Sequence, residues 1–278
     1  MAIASKDNYL AAQRQRIRII KTTSRTTVAT IPYSLFDIAG NPGAGTIAGT
    51  STAAGVVPTD ATAGCADIEF TTGVGYLSRV EFASTVACRL ALYDMLFKAG
   101  AYAYGTATTA LADQPAVSSR CPDYPGQGTV FGSRNEIWLE VSTSFGAGNG
   151  WLIQVTYTNS NGDAGHTTPA MPVFAAAALV IGKMQQLPLQ SGDTGVQKIE
   201  SVIVTNGGTP MNAGAFNILI LRPIYTSMRV PLANVCDVHD MFKTGMPIVY
   251  NNSAIVLVVN ADSTASGIPE IAFEIASA

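Results

Sequence analysis

The five residues Cys236-Asp237-Val238-His239-Asp240 bring a thiol, an imidazole and two carboxylates together. These are the side chains that ligate zinc or move protons. A structural zinc takes four ligands, and no second pair stands at short spacing from this one. The other histidine, His166, lies in a polar run over residues 161–169 and reads as a loop residue. Asp94 and Asp123 are isolated carboxylates, whereas glycoside hydrolysis needs two that face each other. No Gly-x-Ser-x-Gly nucleophile elbow is present. The expectation is a chain that is not an enzyme, with no catalytic residue, no metal and no cofactor.

Glycine supplies a second candidate, in the stretch PYSLFDIAGNPGAGTIAG over residues 32–49. A phosphate-cradling loop needs a buried strand before it and a helix after it, so that a helix N-terminus faces the phosphates. Pro42 does not fit a central strand. The following TIAGTSTAAGVVPT is a poor helix former, and no phosphate-loop lysine is present. The alternative is mechanical: Pro32 and Pro42 stiffen the path, Tyr33, Leu35, Phe36 and Ile38 anchor it in an apolar groove, and Gly40, Gly43 and Gly45 let it turn.

Charge is the third feature. Only 13% of residues are charged, against about 25% in average globular proteins. Gly, Ala, Ser, Thr and Asn stand in their place, a composition suited to a surface that other subunits cover. The charge is also polarised: Lys6, Arg14, Arg16, Arg18, Lys21 and Arg25, opposed only by Asp7, make the first 25 residues +5, while the remainder is −8. A basic segment on an acidic body suits docking on another copy or on an acidic neighbour. Tyr9 is the one aromatic in that segment, a thin basis for base stacking, so nucleic acid is not the expected partner.

The elements that position these residues read as strands. Ser5 is placed to cap a short helix, and residues 16–31 read as extended. ADIEF, YLSRVEFA, CRLALYDMLF, NEIWLEVST and WLIQVTYT follow as strands, with short helical turns expected at YDMLFKAG and VHDMFKTG. In EIWLEV, Ile137, Leu139 and Val141 alternate with Glu136, Trp138 and Glu140, the period of a half-buried strand. FGAGNG, over 145–150, reads as a hairpin turn. The C-terminal half repeats the plan: Ile199, Val202 and Val204 are spaced as Leu77, Val80 and Phe82 are, and an Asn-led strand, a small-residue turn and a closing strand come last in each half. The expected fold is all-β, with two antiparallel, jelly-roll-like β-sandwich units and an extended N-terminal arm. The expected boundaries are 1–64 for the basic arm and linker, 65–168 for the first unit and 169–278 for the second. No stretch is apolar for the roughly 20 residues a spanning helix needs, and Cys65, Cys88, Cys121 and Cys236 are expected as free, mostly buried thiols.

The segment YSLFDIAGNPGAG, residues 33–45, follows a basic arm and leads into Gly/Ala/Thr-rich β-structure. It resembles a segment near the N-terminus of virion structural proteins of tailed bacteriophages. The close match covers about a dozen residues, and the low-charge, strand-built remainder resembles phage head proteins in style. The resemblance implies a capsid-associated decoration, cement or minor head protein, assembled in a host cytoplasm and located in the virion. Its implied partners are the major capsid protein or other virion subunits, with a homo-oligomer, a trimer foremost, and no membrane. Arg14, Arg16, Arg18, Lys21 and Arg25, with Tyr33, Leu35, Phe36 and Ile38, are the expected interaction residues. A neck or tail component is the alternative within a virion, and a carbohydrate-binding β-domain the alternative outside it.

Overall fold

The computed structural model describes residues 5–49, 54–70, 73–103, 108–110, 120, 132–145, 151–172, 180–206, 214–230 and 232–277. Cys121, Asp123 and most of the glycine-rich run 145–150 lie outside the described residues. The elements are α1 (Lys6–Ala11), β1 (Gln13–Lys21), β2 (Pro32–Ser34), β3 (Gly40–Asn41), β4 (Val74–Ser84), β5 (Cys88–Ala103), β6 (Thr108–Ala110), β7 (Glu136–Thr143) and β8 (Trp151–Asn159). They continue with β9 (His166–Thr167), β10 (Met171–Pro172), β11 (Met184–Leu187), β12 (Val196–Asn206), β13 (Ala215–Thr226), β14 (Asp237–His239), α2 (Met241–Thr244), β15 (Ile248–Tyr250), β16 (Ile255–Ala261) and β17 (Pro269–Ser277). The fold is all-β and antiparallel, in two compact sandwich units. One comprises Met1–Thr46, Thr59–Asp94 and Ile224–Ala278; the other comprises Ile47–Pro58 and Met95–Pro223.

In the first unit one sheet runs β14-β4-β17-β1-β3, with β15 also on β4; β16 pairs with the first half of β5 and with β2. Leu77, Val80 and Phe82 of β4, Ile271, Phe273 and Ile275 of β17, and Ile17 and Ile19 of β1 are buried. In the second unit one sheet runs β10-β8-β12-β6, and β13 and β11 flank β7. Its core joins Ile153, Val155 and Tyr157 of β8 and Val202 and Val204 of β12 to Ile137, Leu139 and Val141 of β7 and Phe216, Ile218 and Ile220 of β13. Outside the irregularities of β4 and β12, the inward residues alternate along these strands, as period two requires.

The repeat seen in the sequence equates β4 with β12, β5 with β13, β7 with β16 and β8 with β17. The pairings cross between the repeats. In the first unit β4 pairs β17 and β5 pairs β16. In the second, β12 pairs β8 and β13 pairs β7. Each unit therefore takes its opening two strands from one repeat and its closing two from the other, and the compact units are not the consecutive segments 65–168 and 169–278. Hydrogen bonding is satisfied equally well by either repeat's strands, so linear order does not decide which ones meet.

Both repeats also carry the same irregularity. Leu77 and Val80 are both buried although their positions differ in parity. The register opposite β17 shifts between Glu274–Arg79 and Ile275–Leu77, which leaves Ser78 as an extra residue. The corresponding shift in β12, between Ile199 and Ser201, leaves Glu200 as the extra residue. A bulge of this kind bends the strand and lets apolar residues at i, i+3 and i+5 share one face.

Other local expectations divide. Ser5 caps α1 by accepting from the Asn8 N–H, and VHDMFKTG contains α2, capped by Asp240 and closed by Gly245 at φ +69°. YDMLFKAG, in contrast, is continuous β5 strand, with Met95, Leu96 and Phe97 all buried. A strand covered on both faces shows no alternation and mimics a helical run. Residues 66–70 form no strand, and Pro32 opens edge strand β2 instead of ending one. Strands β7 and β8 stand in different sheets and do not pair as a hairpin.

Strand β7 is buried on both faces: Trp138 and Glu140 are buried as well as the core side. Part of that cover is the Gly/Ala/Thr-rich run. The backbones of Val56 and Lys98 bond each other in both directions, and the Asn217 amide donates to the Ile47 carbonyl and to Glu140. Glycine permits this packing: any Cβ at Gly49 would overlap the Gly100 backbone. In the first unit a Cβ at Gly45 would stand 2.5 Å from Phe36 Cζ and 2.6 Å from the Ala63 carbonyl oxygen, whereas Gly43 has nothing within 4 Å. Gly45→Ala should therefore lower stability by about 1–3 kcal/mol, and Gly43→Ala should change it by no more than about 0.5 kcal/mol. Denaturant midpoints check this; equal effects would refute the packing role of Gly45.

Candidate interaction surface

The basic segment finds its charge partners on its own chain. Strand β1 pairs with β17 from Gln13–Ser277 to Ile20–Glu270. Ile17 and Ile19 enter the core, while Arg14, Arg16 and Arg18 project from the other face. Arg16 reaches across β17 to Glu81 of β4 at 2.5 Å, Arg18 meets Glu270 at 2.5 Å, and Arg14 stands 4.0 Å from Glu274 and over the Tyr9 ring. Arg79 joins at 2.8 Å from Glu81. Ala272, which faces both Arg18 and Glu81 in the register, is small enough to let the Arg16–Glu81 pair span the strand. Exposed pairs of this kind contribute little stability, about 0–1 kcal/mol each, and are screened by salt.

The remaining expected interaction residues are internal. Lys21 is buried and donates to the carbonyls of Ile38 at 3.0 Å and Pro42 at 3.2 Å; burial pulls its ammonium below the ordinary lysine range. Arg25 is buried against Asp37. Tyr33, Leu35 and Phe36 are buried and Ile38 half-buried, within the first unit. The Tyr33 hydroxyl accepts from the Val28 N–H, and the Leu35 N–H donates to Leu257. The apolar anchors of this segment thus fill a groove of their own unit.

An exposed apolar row lies elsewhere in the same unit. Residues 227–230 and 232–250 strap the edge of β4 and the start of β5: Val230 bonds Cys88, Asn234 bonds Ser84, β14 pairs Phe82–Val80, the Thr244 hydroxyl donates to Leu77, and β15 pairs Tyr76–Val74. Met228, Leu232, Val235, Val238 and Phe242 point outward, with Phe242 88% and Met228 77% exposed. Their three- and four-residue spacing imitates the buried face of a helix, which is why the sequence does not flag them as surface. The strap is pinned by the cluster over residues 236–240. His239 stacks edge-on to Phe82 at 5.6 Å, bonds the Tyr225 hydroxyl through Nδ1, and stands 3.1 Å from Asp237 through Nε2. Burial, and then Asp237, push the Tyr225 phenol upward, so it stays protonated. Both imidazole nitrogens hold the strap.

The second histidine has an analogous setting in the other unit. His166 Nδ1 lies 2.9 Å from Asp193, which also accepts from the Tyr157 hydroxyl at 2.5 Å and the Asn159 amide at 3.0 Å. Among the described residues no three His, Cys, Asp or Glu side chains gather as a metal site would require. Cys65, Cys88 and Cys236 form no disulfide; Cys65 and Cys88 are buried and Cys236 is exposed. Asp94 is buried and accepts from the Ser253 hydroxyl and the Ala254 N–H, fixing the turn before β16. No described helix is long and apolar enough to cross a membrane.

No protein-family model matches the chain, and no curated protein matches it. Among solved structures it aligns with infectious bursal disease virus, Gt strain, over 95% of its own length and 81% of that chain, at 11% identity and a TM-score of 0.16. It aligns with the VP2 subviral particle of the same virus over 96% of its own length and 80% of that chain, at 9% identity and a TM-score of 0.17.

The Asp193 cluster yields a pH test. Burial opposes ionisation of Asp193, but hydrogen bonds from Tyr157, Asn159 and His166, with the His166 charge, outweigh it and hold the carboxyl below its usual range. A depressed folded-state pKa stabilises above the unfolded value, about 3.9, and the gain disappears as pH falls through the folded value. Asp193→Asn should cost about 1–3 kcal/mol near neutrality. Thermal melts should show a gap between the two proteins at about pH 5 that closes as pH falls below about 4; a gap unchanged between about pH 5 and pH 2 would contradict the assignment.

Proposed function

We propose that this chain is a virion structural protein, a capsid-associated decoration, cement or minor head protein that stabilises a phage head through subunit contacts. The observation that carries the reading is the outward apolar row Met228, Leu232, Val235, Val238 and Phe242 on a strap that is itself hydrogen-bonded along a sheet edge. Large apolar side chains held out on a positioned backbone mark contact sites. Burying each at a subunit boundary is worth up to about 1.5–3 kcal/mol before the costs of association. Area added between subunits opposes the outward pressure of packed DNA.

Three further features support it: the resemblance of residues 33–45 to phage virion proteins, the low surface charge, and an all-β body in which the groups suited to chemistry hold the strap and turns in place. The partners are then the major capsid protein or other virion subunits, and the site is the virion. The arginines that would meet phosphates are opposed by glutamates on the same face, which disfavours nucleic acid as the partner.

Mass spectrometry of gradient-purified virions of the phage encoding the chain should find it in many copies per head. A count of roughly a dozen or fewer would favour a neck or tail position, and absence would refute the reading. The double substitution Leu232→Ser, Phe242→Ser, at exposed positions, should leave circular dichroism unchanged and lower occupancy on particles by about tenfold or more; unchanged occupancy would discount the strap as the contact.

A further inference from the structure

We infer that the outer face of the β4-β17-β1 sheet recognises a second copy of this chain, an inference that rests on reading the chain as an assembly subunit. Strand β1 carries Arg14, Arg16 and Arg18 at alternate positions, and beside that row stand Glu270 and Glu274 of β17 and Glu81 of β4. Arg16, Arg18, Glu81 and Glu270 wall an open groove of ≈ 650 Å³ that includes the small residues Ala83 and Ala272. A guanidinium has five N–H donors in a fixed fork. The Arg16 and Arg18 side chains remain 66% and 57% exposed although each already meets a glutamate, so most of their donors face solvent.

A positive row beside a negative row selects its occupant. A polyanion laid on this face meets the glutamates, and a polycation meets the arginines. A face with both rows in reversed order satisfies each, and this chain turned by a half-rotation supplies that order. The contact is then isologous, each Arg row lying on the other copy's Glu row. Charge matching of this kind sets register and rejects wrong partners more than it adds affinity.

Sedimentation of the purified full-length chain tests this. The wild-type chain should self-associate, more weakly as ionic strength rises. Arg16→Glu with Arg18→Glu makes the face net negative, with Arg14 and Arg79 still cationic, and Glu81→Arg with Glu270→Arg makes it net positive, with Glu274 still anionic. Each variant alone should associate roughly 100-fold more weakly or worse, and an equimolar mixture should restore association. Arg16→Gln with Arg18→Gln, which adds no like charge, should weaken association and reduce its salt dependence even where a reversed chain folds poorly. A monomeric wild type, reversed chains that associate normally, or folded variants that do not rescue each other would overturn the inference. A chain present in virions yet monomeric in solution would refute this surface and leave the structural role standing; one that self-associates yet is absent from virions would do the opposite.

Discussion

Strand β17 is the element on which the first unit depends. It bonds β4 along nine residue pairs on one side and β1 along eight on the other, and it sends Ile271, Phe273 and Ile275 into the core. Without it, β4 and β1 would each expose a row of backbone donors and acceptors, and an unpaired polar backbone is costly to bury. Strand β8 has the same place in the second unit, between β12 and the short β9 and β10. In both cases the closing strand comes from the repeat that did not supply the opening one. The order of folding is constrained as a result, because loops of well over a hundred residues must close before the first unit's central pairings form.

The same exchange organises the charges. The acidic residues that balance the N-terminal arginines are Glu270 and Glu274, more than 250 residues away in sequence, and Glu81 one strand further across. Polarisation that looks in the sequence like a reason to seek an external partner is mostly neutralised within one sheet. What is left facing solvent is a pattern of two opposed rows and, on the neighbouring strap, a line of large apolar side chains. Both suit contact with folded protein surfaces better than contact with a small substrate.

The low-charge, small-residue composition also has a structural meaning. Runs that look like linker are closely packed: Gly49 on the Gly100 backbone, and Gly45 against the Phe36 ring and the Gly64 backbone. Covers of this kind bury both faces of β7 and much of β5, and they enclose polar groups that must then pair. Glu140 meets Lys98 at 3.8 Å and the Asn217 amide at 3.0 Å, and Arg120 donates to the Met95 carbonyl at 2.9 Å. A buried ion is tolerated only when such partners surround it.

The sequence by itself determined the local matters: the β class, the strands within 74–84, 88–92, 136–143, 151–159, 198–206, 216–225, 255–261 and 269–277, the helix capped by Ser5, the helical turn in VHDMFKTG, and the repeat with its i, i+3, i+5 signature. These depend on side-chain period, capping and turn chemistry, which neighbouring residues decide. Only the tertiary structure decided which strands pair, that β7 and β5 are covered on both faces, that Tyr33, Leu35 and Phe36 are internal, and that Met228, Leu232, Val235, Val238 and Phe242 are not. An apolar residue carries the same pattern whether its cover comes from its own unit, from elsewhere in the chain or from another molecule. Backbone hydrogen bonds have no sequence of their own, so a strand reads identically beside either partner, and long-range pairing is settled only when both sheets close on a shared core.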